Sequence, residues 1–109
     1  MEIYLKIFKA LGDKTRFRIV KMLEVKPMCV CEIKDIIGSS MSTISNHLKI
    51  LKEAGIVRFS KEDKYINYEL TTKNEKVNKV LNLLRDIDDE EIAADKIKAA
   101  KSDKVLACG

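Results

Sequence analysis

Two short amphipathic segments joined by a three-residue turn constrain the fold of this chain more than any other feature. The segments lie at about residues 30–37 and 41–54. Their apolar residues recur at helical spacing: Ile33, Ile36, Ile37, Ile44, Leu48 and Leu51. Gly38 opens the turn and can adopt the positive φ that it requires, and Gly55 follows the second segment as a helix-ending glycine. This arrangement predicts a helix-turn-helix.

Two more helices are predicted before this motif, at residues 2–11 and about 14–25. The first is apolar on nearly every side, which indicates burial by more than its own domain, as in a dimer interface. Gly12 breaks this helix, and Asp13 can cap the next one. The second helix is expected to bury its apolar residues and to expose its basic ones: Phe17, Val20, Met22 and Leu23 inside, and Lys14, Arg16, Arg18 and Lys21 outside.

Two runs of alternating apolar and polar residues follow, at residues 56–60 and 65–70, with the polar residues 61–64 between them. They predict a β-hairpin although the turn contains no glycine. Residues 72–75 fit a capping box that opens a last helix. The apolar positions of this helix are Val77, Val80, Leu81, Leu84 and Ile87.

The predicted fold is therefore mainly α with a β-hairpin wing, in the order α-α-α-α-β-β-α. This is a winged helix-turn-helix, and the apolar first helix indicates that it is dimeric. Residues 1–87 form the domain that carries the helix-turn-helix and the dimer contacts in this prediction. Residues 88–109 form a tail that either continues as helix or frays, and it contains Cys108.

The composition is that of a soluble, helix-rich protein, with 46% apolar and 35% charged residues. No apolar run approaches the roughly 18 residues of a membrane span, and residues 1–4 lack the features of a signal peptide. We therefore expect a cytoplasmic protein with no membrane partner. The net charge is +4, and residues 1–72 carry the whole surplus, with 13 basic against 9 acidic residues. This surplus permits nucleic-acid binding.

The second helix of the motif has an outward face that suits contact with DNA. Its hydroxyl, amide and ammonium groups can bond base edges or phosphates: Ser42, Thr43, Ser45, Asn46 and Lys49. The hairpin adds Arg58, Lys61 and Lys64, which can reach the flanking backbone or the minor groove. His47, the only histidine, either contacts phosphate or supports local packing. We expect double-stranded DNA as the partner.

Cys29 and Cys31 stand one residue apart at the start of the first helix of the motif, and Cys108 lies far away in the tail. Three cysteines in a reducing compartment do not indicate a disulfide framework. Residues two apart on a regular helix point about 200° from each other and cannot share one ion. The pair converges only if residues 28–31 are extended or unwind. A helix amino terminus lowers the pKa of a thiol, which favours a thiolate site; the alternative is a pair of buried cysteines that act as small apolar residues.

The number of thiolates favours arsenite or antimonite over zinc as the bound species. Trivalent arsenic bonds three thiolates in a pyramid, two from the pair and a third from Cys108 or an external thiol. Tetrahedral zinc usually needs four ligands, and the sequence offers one histidine. The alternatives are cadmium or lead on the same soft thiolates, a redox or persulfide switch, and a thiol enzyme or metal carrier. No permanent cofactor is expected, and no Gly-rich phosphate loop or Ser/His/Asp set indicates an enzyme.

The residues above resemble the ArsR/SmtB family of metal-sensing repressors over about residues 3–85. The matching stretches are Leu11-Gly12-Asp13-Lys14-Thr15-Arg16, Cys29-Val30-Cys31-Glu32-Ile33, residues 42–51 and residues 53–57. The resemblance implies a homodimer, joined through its first and last helices, that binds a palindromic operator and releases it with inducer. Many arsenite sensors carry a further Cys where this chain has Lys34, which leaves Cys108 as the third protein ligand. We predict a repressor that leaves DNA when As(III) or Sb(III) binds Cys29 and Cys31.

Overall fold

The structure, a computed structural model, describes residues 1–71 and 73–108, apart from the side chain of Cys108. In this part of the chain the helices are α1 (Glu2–Leu11), α2 (Lys14–Leu23), α3 (Val30–Ile37), α4 (Met41–Glu53), α5 (Glu75–Leu84), α6 (Glu90–Lys101) and α7 (Lys104–Cys108). The strands are β1 (Met28–Cys29), β2 (Val57–Glu62) and β3 (Tyr65–Leu70), which form one antiparallel sheet in the order β1-β3-β2. The predicted winged helix-turn-helix is confirmed. None of the helices in these ranges is long and apolar enough to cross a membrane.

Local sequence signals set the turn between α3 and α4. Gly38 follows α3 with φ 85°, a left-handed conformation in which a side chain would be strained. Ser40 is the N-cap of α4, and its Oγ accepts a hydrogen bond from the Thr43 amide at 3.2 Å. Gly55, just after α4, also has a positive φ of 78°. The turn and the end of α4 therefore lie where the sequence predicts them.

The hydrophobic core fixes how α4 is oriented. Its buried residues are Ile44, Leu48 and Leu51, each 0% exposed, and they pack in the same cluster as Ile33 of α3 and Ile56 before β2. These residues recur at three- and four-residue spacing, so they form one face of the helix. The opposite face of α4 is left at the surface.

Lys21 on α2 is fully buried, and the expectation that it is exposed is wrong. Its Nζ donates hydrogen bonds to the carbonyl oxygen of Leu84 at 2.6 Å and to Glu24 Oε2 at 3.0 Å. The opposite charge and the carbonyl replace the water that the ammonium loses on burial. Arg16 and Arg18, also expected outside, are half-buried; Lys14 is exposed as predicted.

The strand β1 is not part of the predicted order of elements. It has two residues, Met28 and Cys29, which pair with Tyr68 and Asn67 of β3. The wing turn is also shorter than predicted, because β2 and β3 pair as far as Glu62 and Tyr65 and leave two residues between them. Asp63 has φ 56° in this turn; Asp tolerates the left-handed region better than most residues, which removes the need for glycine.

The last helix of the predicted order, α5, begins at Glu75 rather than directly after Thr72. Asn74 is its N-cap, and Asn74 Oδ1 accepts hydrogen bonds from the amides of Lys76 and Val77. Thr72, the predicted first member of the capping box, lies outside the described residues.

Two further helices follow α5 and pack against the same chain. Asp95 of α6 is buried and forms a two-point ion pair with Arg18 of α2, with contacts of 2.9 and 3.0 Å. Lys96 Nζ lies 2.8 Å from Glu24 Oε1. The short α7 packs against α3. The carboxyl-terminal segment thus covers the side of the domain that carries α2 and α3.

Candidate functional site

The outward face of α4 carries the side chains that the sequence assigns to DNA. All five members of the set are exposed: Ser42, Thr43, Ser45, Asn46 and Lys49. The Ser40 hydroxyl donates to Thr43 Oγ1 at 2.8 Å and lies 3.2 Å from Ser42 Oγ, which orders the first turn. A polar face near the amino terminus of such a helix fits the major groove of DNA.

His47 differs from this set because it is half-buried. Its Nδ1 lies 3.3 Å from Arg16 Nη1 and 3.9 Å from Asp13 Oδ2, and Arg16 Nε donates to the Ala10 carbonyl at 2.6 Å. Of the two roles the sequence allows, these contacts support packing, since they join α4 to the junction of α1 and α2.

The basic residues of the wing are exposed but differ in their surroundings. Arg58 Nε donates to Glu69 Oε1 at 2.8 Å across the β2–β3 pair, so its charge is partly neutralised. Lys61 and Lys64 lie near the wing turn. Sequence reasoning did not pick out Lys52 of α4, whose Nζ lies 4.3 Å from the centre of the Phe59 ring. This contact places another ammonium between α4 and the wing.

The cysteine pair straddles the junction between β1 and α3. Cys29 is the N-cap of α3, with the extended angles φ −86° and ψ 166°, whereas Cys31 lies in the first helical turn. The regular-helix geometry that would keep two such sulfurs apart therefore does not apply to Cys29. The sequence predicted that the two sulfurs converge only if residues 28–31 are extended or unwind. It did not predict strand β1, which gives Cys29 its extended backbone.

The Cys29 thiol is held in a buried, hydrogen-bonded position. The residue is 3% exposed, and burial raises the pKa of its thiol. The Glu32 amide at the helix start lowers this pKa, while the Glu32 carboxylate raises it. The expectation of a net lowering by the helix terminus is wrong, because loss of water outweighs the amide contacts. Any ligand that bonds to the thiolate form of Cys29 would therefore have to displace a proton.

Glu32 ties the cysteine junction to the carboxyl-terminal segment. It is 4% exposed; its Oε1 accepts a hydrogen bond from the Cys29 amide at 3.1 Å, and its Oε2 accepts one from the Ser102 hydroxyl at 2.5 Å. Ser102 is the C-cap of α6. Sequence reasoning missed this residue, although a glutamate three positions after an N-cap is a capping-box signal.

Cys31 is disulfide-bonded in the structure, which the sequence did not lead us to expect. Cys29 is a buried thiol. The helix that contains Cys108, α7, packs against α3, but the Cys108 side chain lies outside the described part. Among the side chains that the structure does describe, no three His, Cys, Asp or Glu residues are grouped as a metal site.

A cavity of about 290 Å³ lies beside the cysteines. It is lined by residues from α3, α4 and the wing: Cys29, Val30, Cys31, Met41, Lys64, Tyr65 and Ile66. A small ligand bound there would contact the start of the outward-facing helix and the wing turn at once.

Comparison with known proteins identifies the family. Residues 13–58 match the model described as "Bacterial regulatory protein, arsR family". An uncharacterized HTH-type transcriptional regulator of Methanocaldococcus jannaschii is 43% identical over 91 residues, which are 80% of this chain and 100% of that protein. The chain belongs to the arsR family.

Two other relatives have names that mention resistance to cadmium or to arsenicals. The cadmium resistance transcriptional regulatory protein CadC homolog of Staphylococcus aureus is 43% identical over 72 residues, or 65% of this chain and 60% of the relative. The arsenical resistance operon repressor of Escherichia coli is 37% identical over 68 residues, or 62% of this chain and 58% of the relative. The matched part thus spans about three fifths of the length of these two regulators.

Solved structures share the fold of this arsR-family chain. HlyU from Vibrio cholerae is 28% identical with a TM-score of 0.68, over 76% of this chain and 88% of that one. A homodimeric winged helix-turn-helix DNA-binding domain from Mycobacterium bovis is 25% identical with a TM-score of 0.67, over 77% and 76%. The family makes this chain a regulatory protein and not an enzyme, as predicted.

Proposed function

We propose that this arsR-family protein is a DNA-binding repressor that acts as a homodimer and leaves its operator when arsenite or antimonite binds Cys29 and Cys31. The observation that carries the proposal is the cavity that the two cysteines share with Met41 of α4 and Tyr65 of the wing. An inducer in this cavity would act directly on both elements assigned to DNA.

In the proposed complex, α4 enters the major groove and the wing follows the flanking backbone. The exposed side chains are Ser42, Thr43, Ser45, Asn46 and Lys49 on α4, with Arg58, Lys61 and Lys64 on the wing. His47 supports this surface from below through Arg16. The hydroxyl and amide groups suit base edges, and the ammonium groups suit phosphates.

Exposed apolar side chains support the homodimer. On α1, Ile3, Leu5 and Phe8 are about half exposed or more, and Leu83 at the end of α5 is 71% exposed. Because α1 and α5 contact each other, these side chains can form one apolar patch, and such patches mark interaction sites. The related domain from Mycobacterium bovis is homodimeric, and we assign the same role to α1 and α5 here.

Release follows from the position of Cys29 at the start of α3. Drawing the Cys29 and Cys31 sulfurs onto one arsenic atom would disturb the Cys29 amide contact with Glu32 and the first turn of α3. Because α3 packs against α4, the disturbance reaches the helix assigned to the major groove. If arsenite binds the DNA-free form about 100-fold better, operator affinity falls about 100-fold, or about 2.7 kcal/mol.

Arsenite and antimonite fit Cys29 and Cys31 because each trivalent centre bonds only three thiolates. Two thiolates come from Cys29 and Cys31, and Cys108 or an external thiol supplies the third. Cadmium or lead on the same thiolates is the alternative inducer, supported by the similarity to the cadmium-resistance regulator.

A second candidate is a thiol-redox or persulfide response of the same repressor. The disulfide at Cys31 favours it, because oxidation would occupy a sulfur that the inducer needs. Loss of DNA binding on mild oxidation without metal would support this candidate. When Cys31 is reduced, both thiols are available to arsenic, and we expect arsenite to produce the whole loss of DNA affinity.

The test is a fluorescence anisotropy titration with reduced protein under nitrogen. A duplex is first selected from a random library at low salt, and its complex is then titrated with arsenite, antimonite, cadmium, lead and zinc. We expect arsenite to lower the affinity for the duplex about 100-fold. Failure to select any duplex would contradict DNA binding, and a complex that survives arsenite would contradict the inducer.

Lys49→Ala is the matched control for this titration. Because Lys49 is exposed on α4, its loss should weaken DNA binding and reduce the slope of log affinity against log salt by about 1. The arsenite concentration that gives half release should not change, since Lys49 does not line the cysteine cavity.

The pH dependence of DNA release distinguishes arsenite from cadmium, because only the cadmium reaction releases protons. Arsenite exchanges its hydroxides for thiolates and releases water, As(OH)₃ + 3 RSH → As(SR)₃ + 3 H₂O, whereas cadmium releases protons, Cd²⁺ + 2 RSH → Cd(SR)₂ + 2 H⁺. Because burial raises the pKa of Cys29, its thiol keeps its proton to higher pH than an ordinary cysteine thiol. From about pH 6 to pH 8, the cadmium response should strengthen by about tenfold per unit for each thiol proton, and the arsenite response should stay nearly constant.

A further inference from the structure

A polar cavity of about 330 Å³ lies between the wing and the connection from α6 to α7. Its walls include Glu62 of β2, Asn67 of β3 and Lys104, the first residue of α7. Glu62 Oε2 accepts a hydrogen bond from Asn67 Nδ2 at 3.0 Å, and Lys104 Nζ lies 3.7 Å from the same oxygen. An ammonium group of the carboxyl-terminal segment therefore contacts the wing.

Lys104 also contacts the second strand of the wing. Its Nζ lies 5.3 Å from the centre of the Tyr65 ring, and Lys64 Nζ lies 5.5 Å from the same centre. Both distances allow a cation–ring attraction. Glu62 and Tyr65 are the last paired residues before the wing turn. Lys104 thus contacts both strands at the tip of the wing, next to a lysine that we assign to DNA.

Lys104 is held in place from the side of α3. Ser102, two residues earlier, donates its hydroxyl to Glu32 Oε2 at 2.5 Å, and the Ser102 carbonyl accepts a hydrogen bond from Lys26 Nζ at 2.8 Å. Glu32 is buried at the start of α3. The point from which Lys104 reaches the wing is therefore fixed to the body of the domain.

The tip of the wing has little other support in the sheet. The strand β1 pairs with β3 at Asn67 and Tyr68, and from Asn67 toward the turn the described sheet has two strands. A two-stranded hairpin is at best marginally stable in water when nothing packs against it. A contact from outside the hairpin can therefore decide how well its tip is ordered.

We propose that Lys104 is a positioning residue for the wing, which holds the tip of the hairpin against the body of the domain and so aligns Lys61 and Lys64 with the DNA backbone. Lys104 does not contact DNA in this scheme. Its effect is preorganisation, because a wing that is already ordered loses less conformational freedom when DNA binds. The inference rests on the proposed DNA binding, and it does not depend on the inducer.

The expected effect is moderate, because the contacts of Lys104 lie near the surface. The side chains of Lys104 and Glu62 are 30% and 69% exposed. Exposed ion pairs and cation–ring contacts each change an equilibrium by up to about fivefold. We expect the loss of Lys104 to cost about threefold in affinity for each wing. A homodimer uses two wings, so its affinity for DNA should fall about tenfold.

The test compares Lys104→Met with two other lysine variants. Lys104→Arg keeps the charge beside the Tyr65 ring, and Lys101→Met removes the same charge from the exposed end of α6. Anisotropy titrations of the selected duplex are made at several salt concentrations. Lys104→Met should bind about tenfold more weakly, with an unchanged slope of log affinity against log salt. Lys104→Arg should recover most of this loss, and Lys101→Met should bind like the unmodified protein.

Amide hydrogen exchange of the DNA-free protein measures the order of the wing itself. Lys104→Met should speed exchange at residues 60–66, and so should Glu62→Gln, which removes the other partner of the ion pair. Exchange in Lys101→Met should stay unchanged. Since this measurement needs no DNA, it still decides whether Lys104 holds the wing if no duplex can be selected and the proposed function fails.

The inference is overturned if Lys104→Met leaves either the DNA affinity or the exchange rates unchanged. It is also overturned if the salt slope falls by about 1 or more, because Lys104 would then neutralise a phosphate directly. Circular dichroism checks that the variants fold, which is expected because the substituted side chains reach the surface.

Discussion

Cys29→Ser and Cys31→Ser should bind the operator with nearly unchanged affinity and fail to release it with arsenite. Serine is among the best N-cap residues, so Cys29→Ser keeps the start of α3 intact. A hydroxyl does not form a stable bond to arsenic in water, so each variant loses the response of about 100-fold. Anisotropy titration of the operator complex measures both quantities in one experiment.

Cys108→Ser shows which thiol supplies the third bond. A full response in this variant would assign that bond to an external thiol. Adding glutathione should then raise the arsenite affinity of every variant that keeps both Cys29 and Cys31. The proposal fails if the double variant Cys29→Ser/Cys31→Ser still releases DNA at the same arsenite concentration, because the sensor would then lie elsewhere.

Lys21→Ala should destabilise the fold by about 3 kcal/mol. The substitution leaves the Leu84 carbonyl and the Glu24 carboxylate buried with one donor fewer. Lys96 still contacts Glu24, which keeps the cost at the lower end of the range for a broken buried pair. Urea denaturation at a fixed protein concentration measures this loss, since dimer formation makes stability depend on concentration.

Lys98→Ala is the control, because Lys98 lies exposed on α6, outside the helices assigned to the dimer. It removes the same charge and should change the free energy of unfolding by less than about 0.5 kcal/mol. If Lys21→Ala were as stable as this control, the two hydrogen bonds of the Lys21 ammonium would contribute nothing net to the fold.

Short-range signals in the sequence account for the elements that were predicted well. Gly38 and Ser40 set the turn before α4, and the three- and four-residue spacing of Ile44, Leu48 and Leu51 sets its buried face. These features depend on residues within one or two turns of each other. The outward face of α4 then follows from its buried face, so the DNA surface could be proposed before the structure was known.

Features that depend on distant residues could not be predicted in the same way. The strand β1 exists because Cys29 pairs with Asn67, and Lys21 is buried because Leu84 offers a carbonyl. The docking of α6 depends on Asp95 meeting Arg18 from far along the chain. The thiol pKa is a similar case: the helix start was visible in the sequence, but the burial that dominates it was not.

The two-residue strand β1 makes Cys29 part of the same sheet as the wing. A backbone shift at Cys29 would strain both the β1–β3 hydrogen bonds and the first turn of α3. The sheet that carries the wing and the helix α3 should therefore move together. In the proposed complex this disfavours an intermediate that has lost only the contacts of the wing with DNA. Dissociation should therefore follow a single exponential, with α4 and the wing leaving the DNA in one step.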